Sequence, residues 1–201
     1  MFQEKPAHIL RWKNENWVQE INSLIDPGCT RQEFQSIIAR LYPNGGEIII
    51  YKTSRGVAEF FDFRGINLSN KSLLDVDFVG FDLSDGNFEG ANISGAKFIS
   101  SNVEKSSFIG AKADLGARFE NCFGGGSNFS DAHLIDVDFT GAEFSDANFS
   151  GSTLINCRFE NANLRNTNFQ GAKIENCKFN GAIISPEDYY LNDLLSKMAS
   201  K

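Results

Sequence analysis

The chain has 201 residues, with 26 acidic and 19 basic side chains and a net charge of −7. That length can bury a core without disulfide staples, the acidic balance argues against direct nucleic-acid binding, which needs clustered Lys and Arg, and no apolar run approaches the roughly 18 residues of a membrane span. Cys29, Cys122, Cys157 and Cys177 are too few for a disulfide framework and, with an opening unlike a signal peptide, they point to a reducing, cytoplasmic setting.

Residues 1–59 read as a small α/β module. Asn16 to Ile25 has the apolar spacing of an amphipathic helix, ended by Asp26-Pro27-Gly28. Thr30-Arg31-Gln32-Glu33 forms a capping box before a second helix with Phe34, Ile37, Ile38 and Leu41 on one face. Pro43-Asn44-Gly45-Gly46 stops it, and Glu47–Lys52 is expected to be a strand that runs on toward residue 60.

From residue 60 to 184 the chain repeats every five residues. The large centres run Phe63, Leu68, Leu73, Phe78, Leu83, Phe88, Ile93, Phe98, Val103, Phe108 and Ala113, then Phe119, Gly124, Phe129 and onward in fives to Ile184. They take 13 of the 19 phenylalanines, and the position two before each is usually small, as at Ala91, Ala142, Cys157 and Cys177. A period of five fits neither helix nor plain strand. It requires a coil in which the small and the large residue of each unit point inward, with a tight turn between units that Gly80, Gly90, Gly95, Gly110, Gly141, Gly151, Gly171 and Gly181 suit. The alternation of aromatic with aliphatic centres implies an even number of sides. Phe108 to Phe119 is eleven residues instead of ten, so one extra residue falls after Ala113, and the side-chain-free centre Gly124 lies nearby. An absorbed bulge with Leu115 or Phe123 filling the gap, or a distorted waist that meets a partner, are both open at 113–126. Residues 185–201 close the chain with a helix: Ser185-Pro186 at its start and Leu191, Leu194, Leu195 and Met198 on one face, as a cap or a contact with a second copy.

Gly90-Ala91-Asn92-Ile93-Ser94, Asp146-Ala147-Asn148-Phe149-Ser150 and Asn161-Ala162-Asn163-Leu164-Arg165 closely resemble the A(D/N)LxX units of the pentapeptide-repeat family. The resemblance implies a right-handed quadrilateral parallel β-helix, four units to a coil and about six coils, hence a rod roughly 29 Å long. Some family members dimerise through their C-termini, which implies a homodimer through the final helix as one outcome.

No catalytic constellation is present. His8 and His133 have no cysteine at metal-ligand spacing, there is no nucleophile elbow or phosphate loop, and no cofactor is expected. The calcium-loop-like openings at Asp75 and Asp136 have Gly86 and Ala147 where a bidentate Glu belongs. Cys157 and Cys177, twenty apart, fall one above the other at disulfide range but occupy the small inward position, so packed, reduced thiols are expected.

Four units to a coil also sort the outside. Asp77, Lys97, Arg118, Asp138, Arg158 and Lys178 share one column as an ion-pair ladder; Asn67, Asn87, Ser107, Asn128, Asn148 and Asn168 share another. A third wall sends Leu74, Ile135 and Ile155 outward, with Leu115 at the bulge, and a row of exposed aliphatics marks a protein contact. The leading expectation is therefore a non-enzymatic scaffold that binds a protein partner not named by the sequence. The second comes from the resemblance: quinolone-resistance pentapeptide proteins resemble duplex DNA and bind DNA gyrase, and here Asp75, Asp82, Asp85, Asp136, Glu143 and Asp146 would supply the anionic face. The repeat region carries sixteen acids and ten bases, whereas ~29 Å of B-DNA would show about 17 charges.

Overall fold

The computed structural model describes residues 48–53 and 56–186. The helices expected at 16–25 and 30–41 and the final helix with Leu191, Leu194, Leu195 and Met198 lie outside the described residues.

The described chain is a parallel β-helix of square section. Successive coils begin at Asp62, Asp82, Asn102, Phe123, Glu143 and Asn163, which stand one above another through parallel backbone pairing. Each coil has four walls, numbered here in chain order. At the lower end, β1 (Ile48–Thr53) pairs antiparallel with β2 (Gly56–Asp62), and β2 runs on into the first coil to pair parallel with β3 (Phe81–Asp82). The strand expected at 47–52 is thus β1, while its hairpin partner β2 is hidden in the sequence because Phe60, Phe61 and Phe63 already belong to the repeat.

Each corner is built in the same way. The carbonyl of a large inward residue accepts from the N–H three residues on, as Phe63 does from Ile66 (3.2 Å) and Phe129 from Ala132 (3.2 Å). The residue between them, two after the centre, is left-handed. Eleven such described residues are glycine and thirteen are not, eleven of those being Asn or Asp. Turns with this third residue demand positive φ, which glycine tolerates and Asn and Asp accept most readily of the rest. The expected corner glycines are all among them; the Asn and Asp corners escape a search for glycine. The Asp or Asn just before each centre has its own task. Its side chain accepts the N–H two residues on, as Asn87 does from Glu89 (3.0 Å), Asp138 from Thr140 (2.9 Å) and Asn148 from Ser150 (3.0 Å). These Asx turns explain why the unit specifies Asp or Asn there.

Between corners, backbone groups bond up and down the stack: Phe78 N to Lys97 O at 2.7 Å, Lys97 N to Val76 O at 2.9 Å. The interior is columns of side chains. On the fourth wall Phe78, Phe98, Phe119, Phe139, Phe159 and Phe179 stack with centroids 4.5–5.1 Å apart. On the second, Phe88, Phe108, Phe129, Phe149 and Phe169 do so at 4.5–5.3 Å. The two columns meet edge to face, for example Phe108 with Phe119 at 5.7 Å. Centres on the other walls are mostly aliphatic, with Phe63 and Phe144 as aromatic exceptions on the first, which accounts for the aromatic–aliphatic alternation. Burying each of these rings contributes roughly 1.5–3 kcal/mol. The small inward position also satisfies polar groups: Ser106 Oγ donates to Leu83 O (2.8 Å) and Thr167 Oγ1 to Phe144 O (2.8 Å).

The break in phase resolves into two separate devices. Leu115 does not fill the gap; it is 80% exposed. Lys112 still receives Ile93 N, but Gly95 N reaches Gly116 O, so Asp114 and Leu115 bow outward and Gly116 takes over the left-handed corner. Asp114 N is satisfied by Ser94 Oγ instead (3.0 Å). Phe123 does not fill the space at Gly124 either, being half-buried on the outside of the first wall. The filler is Phe144, one coil above: a Cβ on Gly124 would sit 2.8 Å from its Cζ and closer still to two other ring carbons.

Candidate interaction surface

The third wall differs from the other three in its backbone. Here four short strands align as a continuous parallel sheet: β4 (Lys112–Ala113), β5 (His133–Ile135), β6 (Thr153–Ile155) and β8 (Lys173–Glu175), interrupted in sequence by β7 (Asn163–Leu164), which pairs elsewhere with β9 (Ile183–Ile184). Branched Thr and Ile at these positions favour extended backbone. Their register puts Lys112, His133, Thr153 and Lys173 in one outward row and Ile135, Ile155 and Glu175 in the next. Leu134, Leu154 and Ile174 face inward between them.

The aliphatic row is real in placement and graded in exposure. Leu74 is 42% and Leu115 80% exposed, while Ile135 and Ile155 are half-buried against their neighbours. The polar groups beside them are mostly paired: Lys173 Nζ lies 3.2 Å from Glu175 Oε1, and His133 Nε2 lies 3.6 Å from Asp114 Oδ1 on the bulge. What remains is a flat sheet with a projecting leucine at the waist.

The six acids expected to form one anionic face do not share one. Asp82 is fully buried, its Oδ1 accepting Ser84 N at 3.0 Å and its Oδ2 3.9 Å from Arg64 Nε. Asp75 and Asp136 stand at the corner between third and fourth walls, Asp85 and Asp146 at the diagonally opposite corner, and Glu143 on the first wall. Several also turn their oxygens along the rod: Asp136 accepts from Asn156 Nδ2 (3.0 Å), Asp146 from Asn166 Nδ2 (3.0 Å) and Glu143 from Asn163 Nδ2 (2.9 Å). The spacing held the signal for four of them, since Asp75, Asp85, Asp136 and Asp146 each lie two after a centre, the position of the corner glycines.

The other two columns each occupy one wall, as expected. The second wall carries an amide ladder, Asn168 to Asn148 and Asn148 to Asn128 at 3.2 Å each. On the fourth, Arg158 bridges Asp138 (3.2 Å) and Glu160 (2.8 Å), while Arg118 turns to Glu120 (2.6 Å). Among the described residues no group of three or more His, Cys, Asp or Glu could hold a metal ion, and no helix is long and apolar enough to cross a membrane.

Two family models match these coils: pentapeptide repeats over 62–99 and 72–110, and a pentapeptide repeat region over 116–185. Together they take in more than half of the chain and are separated from each other only by residues 111–115, at the bulge. The chain belongs to the pentapeptide-repeat family. Among solved structures, this pentapeptide-repeat protein is similar to Rfr23 from the cyanobacterium Cyanothece 51142 (16% identity, 62% of this chain and 91% of that one, TM-score 0.35). It is also similar to a trypsin-treated form of QnrB1, a plasmid-mediated fluoroquinolone resistance protein (19%, 71% and 86%, TM-score 0.31). A third is a pentapeptide repeat protein from the Arabidopsis thaliana thylakoid lumen (25%, 68% and 74%, TM-score 0.22). No curated protein matches the chain.

Proposed function

We propose that this pentapeptide-repeat protein is a non-enzymatic, cytoplasmic docking module whose third wall binds a protein partner. The observation that carries this reading is the third wall itself, where Ile135 and Ile155 pair in one parallel sheet, Leu74 lies on the same wall lower down, and Leu115 is held 80% exposed on a one-residue bulge. An exposed aliphatic at that level contributes nothing to the core and is the kind of group that a partner buries. In the described coils away from the ends, the backbone groups of the walls bond to the coils above and below. A partner on the third wall would therefore be held by side chains, against a surface already ordered before it arrives.

The test is affinity capture with the wild type, a Leu115→Asp/Ile135→Asp variant, and Asn148→Asp on the second wall as control. Loss of a defined partner with the first variant alone supports the reading; a partner that survives it removes the third wall from consideration. Gyrase mimicry, the second reading, is weakened by the dispersal of its six acids. It is measured directly as supercoiling by purified gyrase, with and without a quinolone, and no effect at micromolar protein would end it.

A further inference from the structure

We propose that Cys157 and Cys177 form a reversible disulfide that fastens the fifth coil to the sixth, a modification site distinct from the docking wall. The small inward column of the fourth wall reads Val76, Ala96, Ala117, Val137, Cys157, Cys177: apolar through four coils, then two thiols in succession. Both are free and buried, with Cys157 0% and Cys177 4% exposed. Cys157 Sγ lies 3.3 Å from Leu134 O and Cys177 Sγ 3.4 Å from Leu154 O, so the two side chains hold the same orientation one coil apart. Ser and Thr serve equivalent carbonyls elsewhere in this interior, so satisfying a carbonyl does not require sulfur.

The neighbouring pair Arg158 and Lys178 is bridged, and Lys178 N donates to Cys157 O at 2.9 Å, which fixes the two backbones in register. Parallel strands at about 4.8 Å place the Cα atoms within the range a disulfide spans, while the Cβ atoms must close by up to about 1 Å to reach their usual separation. A bond made under that strain is readily reduced again, the property of labile rather than permanent disulfides. The thiols are also unequal. Interaction with the Cys177 sulfur pushes the Cys157 thiol up, with burial adding to it, and the same interaction holds the Cys177 thiol below its ordinary value. Cys177 is the more open of the two and lies in the last coil, where Ile174, Ala182 and Ile184 are only partly buried. Cys122, by contrast, has Ser101 and Ala142 as its column neighbours.

The co-reactant is a small-molecule disulfide of the glutathione class. The Cys177 thiolate attacks one of its sulfurs, forming a mixed disulfide and expelling one thiolate, which takes up the proton Cys177 gave. Cys157 then loses its proton and attacks the Cys177 sulfur; the Cys157–Cys177 bond forms, the mixed bond breaks, and the second small thiol leaves protonated. Two protein thiols are oxidised and one small disulfide is reduced to two thiols. The bond joins the chain two residues beyond Ile155 and Glu175, so it fixes the upper end of the sheet formed by β6 and β8.

The experiment equilibrates the full chain in glutathione buffers from reducing to oxidising, blocks remaining thiols by alkylation and maps tryptic peptides, since cleavage at Arg158 and Lys173 separates the two cysteines. The expected result is a Cys157–Cys177 linked peptide and a Tm higher by up to roughly 10 °C, both reversed by dithiothreitol, retained in Cys122→Ser and lost in Cys157→Ala. The alanine matches Ala96 and Ala117 in the same column, so this variant should fold. Full alkylation of both cysteines under oxidising conditions, arrest at a glutathione adduct on Cys177, or an unchanged Tm in the linked protein would each overturn the proposal.

Discussion

Gly124 and Phe144 should behave as one unit of packing rather than two residues. Gly124 lies in an inward column with Val103 below and Phe144 above, and the ring of Phe144 takes the volume that a side chain at 124 would need. That ring also meets Phe129 at 5.7 Å, Phe139 at 5.2 Å and Phe149 at 5.8 Å, all edge to face, so it has nowhere to retreat. Gly124 is not among the left-handed residues. On backbone grounds alone, Gly124→Ala would stabilise by about 0.4–1 kcal/mol. Overpacking against a fixed ring costs about 1–3 kcal/mol, so the net expectation is a loss of about 1 kcal/mol or more. Phe144→Leu alone opens a hole beside the glycine and also destabilises. Combined, the alanine partly fills the hole, and the double variant should be more stable than the sum of the singles by about 0.5–3 kcal/mol. Urea unfolding followed by circular dichroism, with unchanged m, gives the four midpoints of the cycle. Strict additivity, or a stabilising Gly124→Ala, would refute the assignment of Phe144 as the filler.

The corners offer a matched pair. Gly110→Ala places its Cβ in open space at φ +63° and should cost about 1–2 kcal/mol for the left-handed backbone alone. Gly116→Ala, at φ +68°, would also bring its Cβ to 2.9 Å from the Asp136 carbonyl oxygen, and thermal melts should show the larger loss there. Glu104 supplies a pH test. Partial burial raises its carboxyl above the usual value, opposed by Lys105 and reinforced by Asp82 and Asp85. The folded state thus holds this proton more tightly than the unfolded one, and the contribution is full below the ordinary carboxylate range and lost as pH rises through the folded value. Glu104→Gln should therefore gain stability relative to wild type as pH rises above the ordinary carboxylate range in urea titrations, and a gap that stays constant would sink the assignment. Leu115→Asp should leave Tm within about 1 °C of wild type, since an exposed bulge residue contributes little to folding; a larger drop would mean that the leucine packs in solution.

Much of the rod could be read from spacing because the repeat makes stacking a matter of counting. Residues twenty apart share a wall, and the ladders through Asp77 to Lys178 and Asn67 to Asn168 follow from that alone. What a search for corner glycines left out was the acids that share their position: Asp85 lies two after its centre at a left-handed corner, while Asp138 lies just before its own and accepts an N–H within its wall. Asp82 reads as a surface acid and is buried, because its environment comes from Arg64 and Ser84 acting together. The filling of Gly124 was equally hidden: the nearest large neighbours in sequence, Leu115 and Phe123, point outward, and the ring that fills the space comes from the next coil. The third wall was half legible, its row of aliphatics visible in the spacing but its continuous sheet not.

The bulge at Asp114–Leu115 has a consequence for how such a molecule changes over time. In an ordinary sheet one added residue reverses every side chain beyond it, turning the core face outward. Here the added residue is spent at a corner, and Phe98 still stacks on Phe119 at 4.5 Å, as closely as Phe108 on Phe129. The interior therefore reads the chain modulo one turn and forgets the insertion within a single coil. A rod with that property can acquire projections at its corners, one at a time, while the columns that hold it together stay in line.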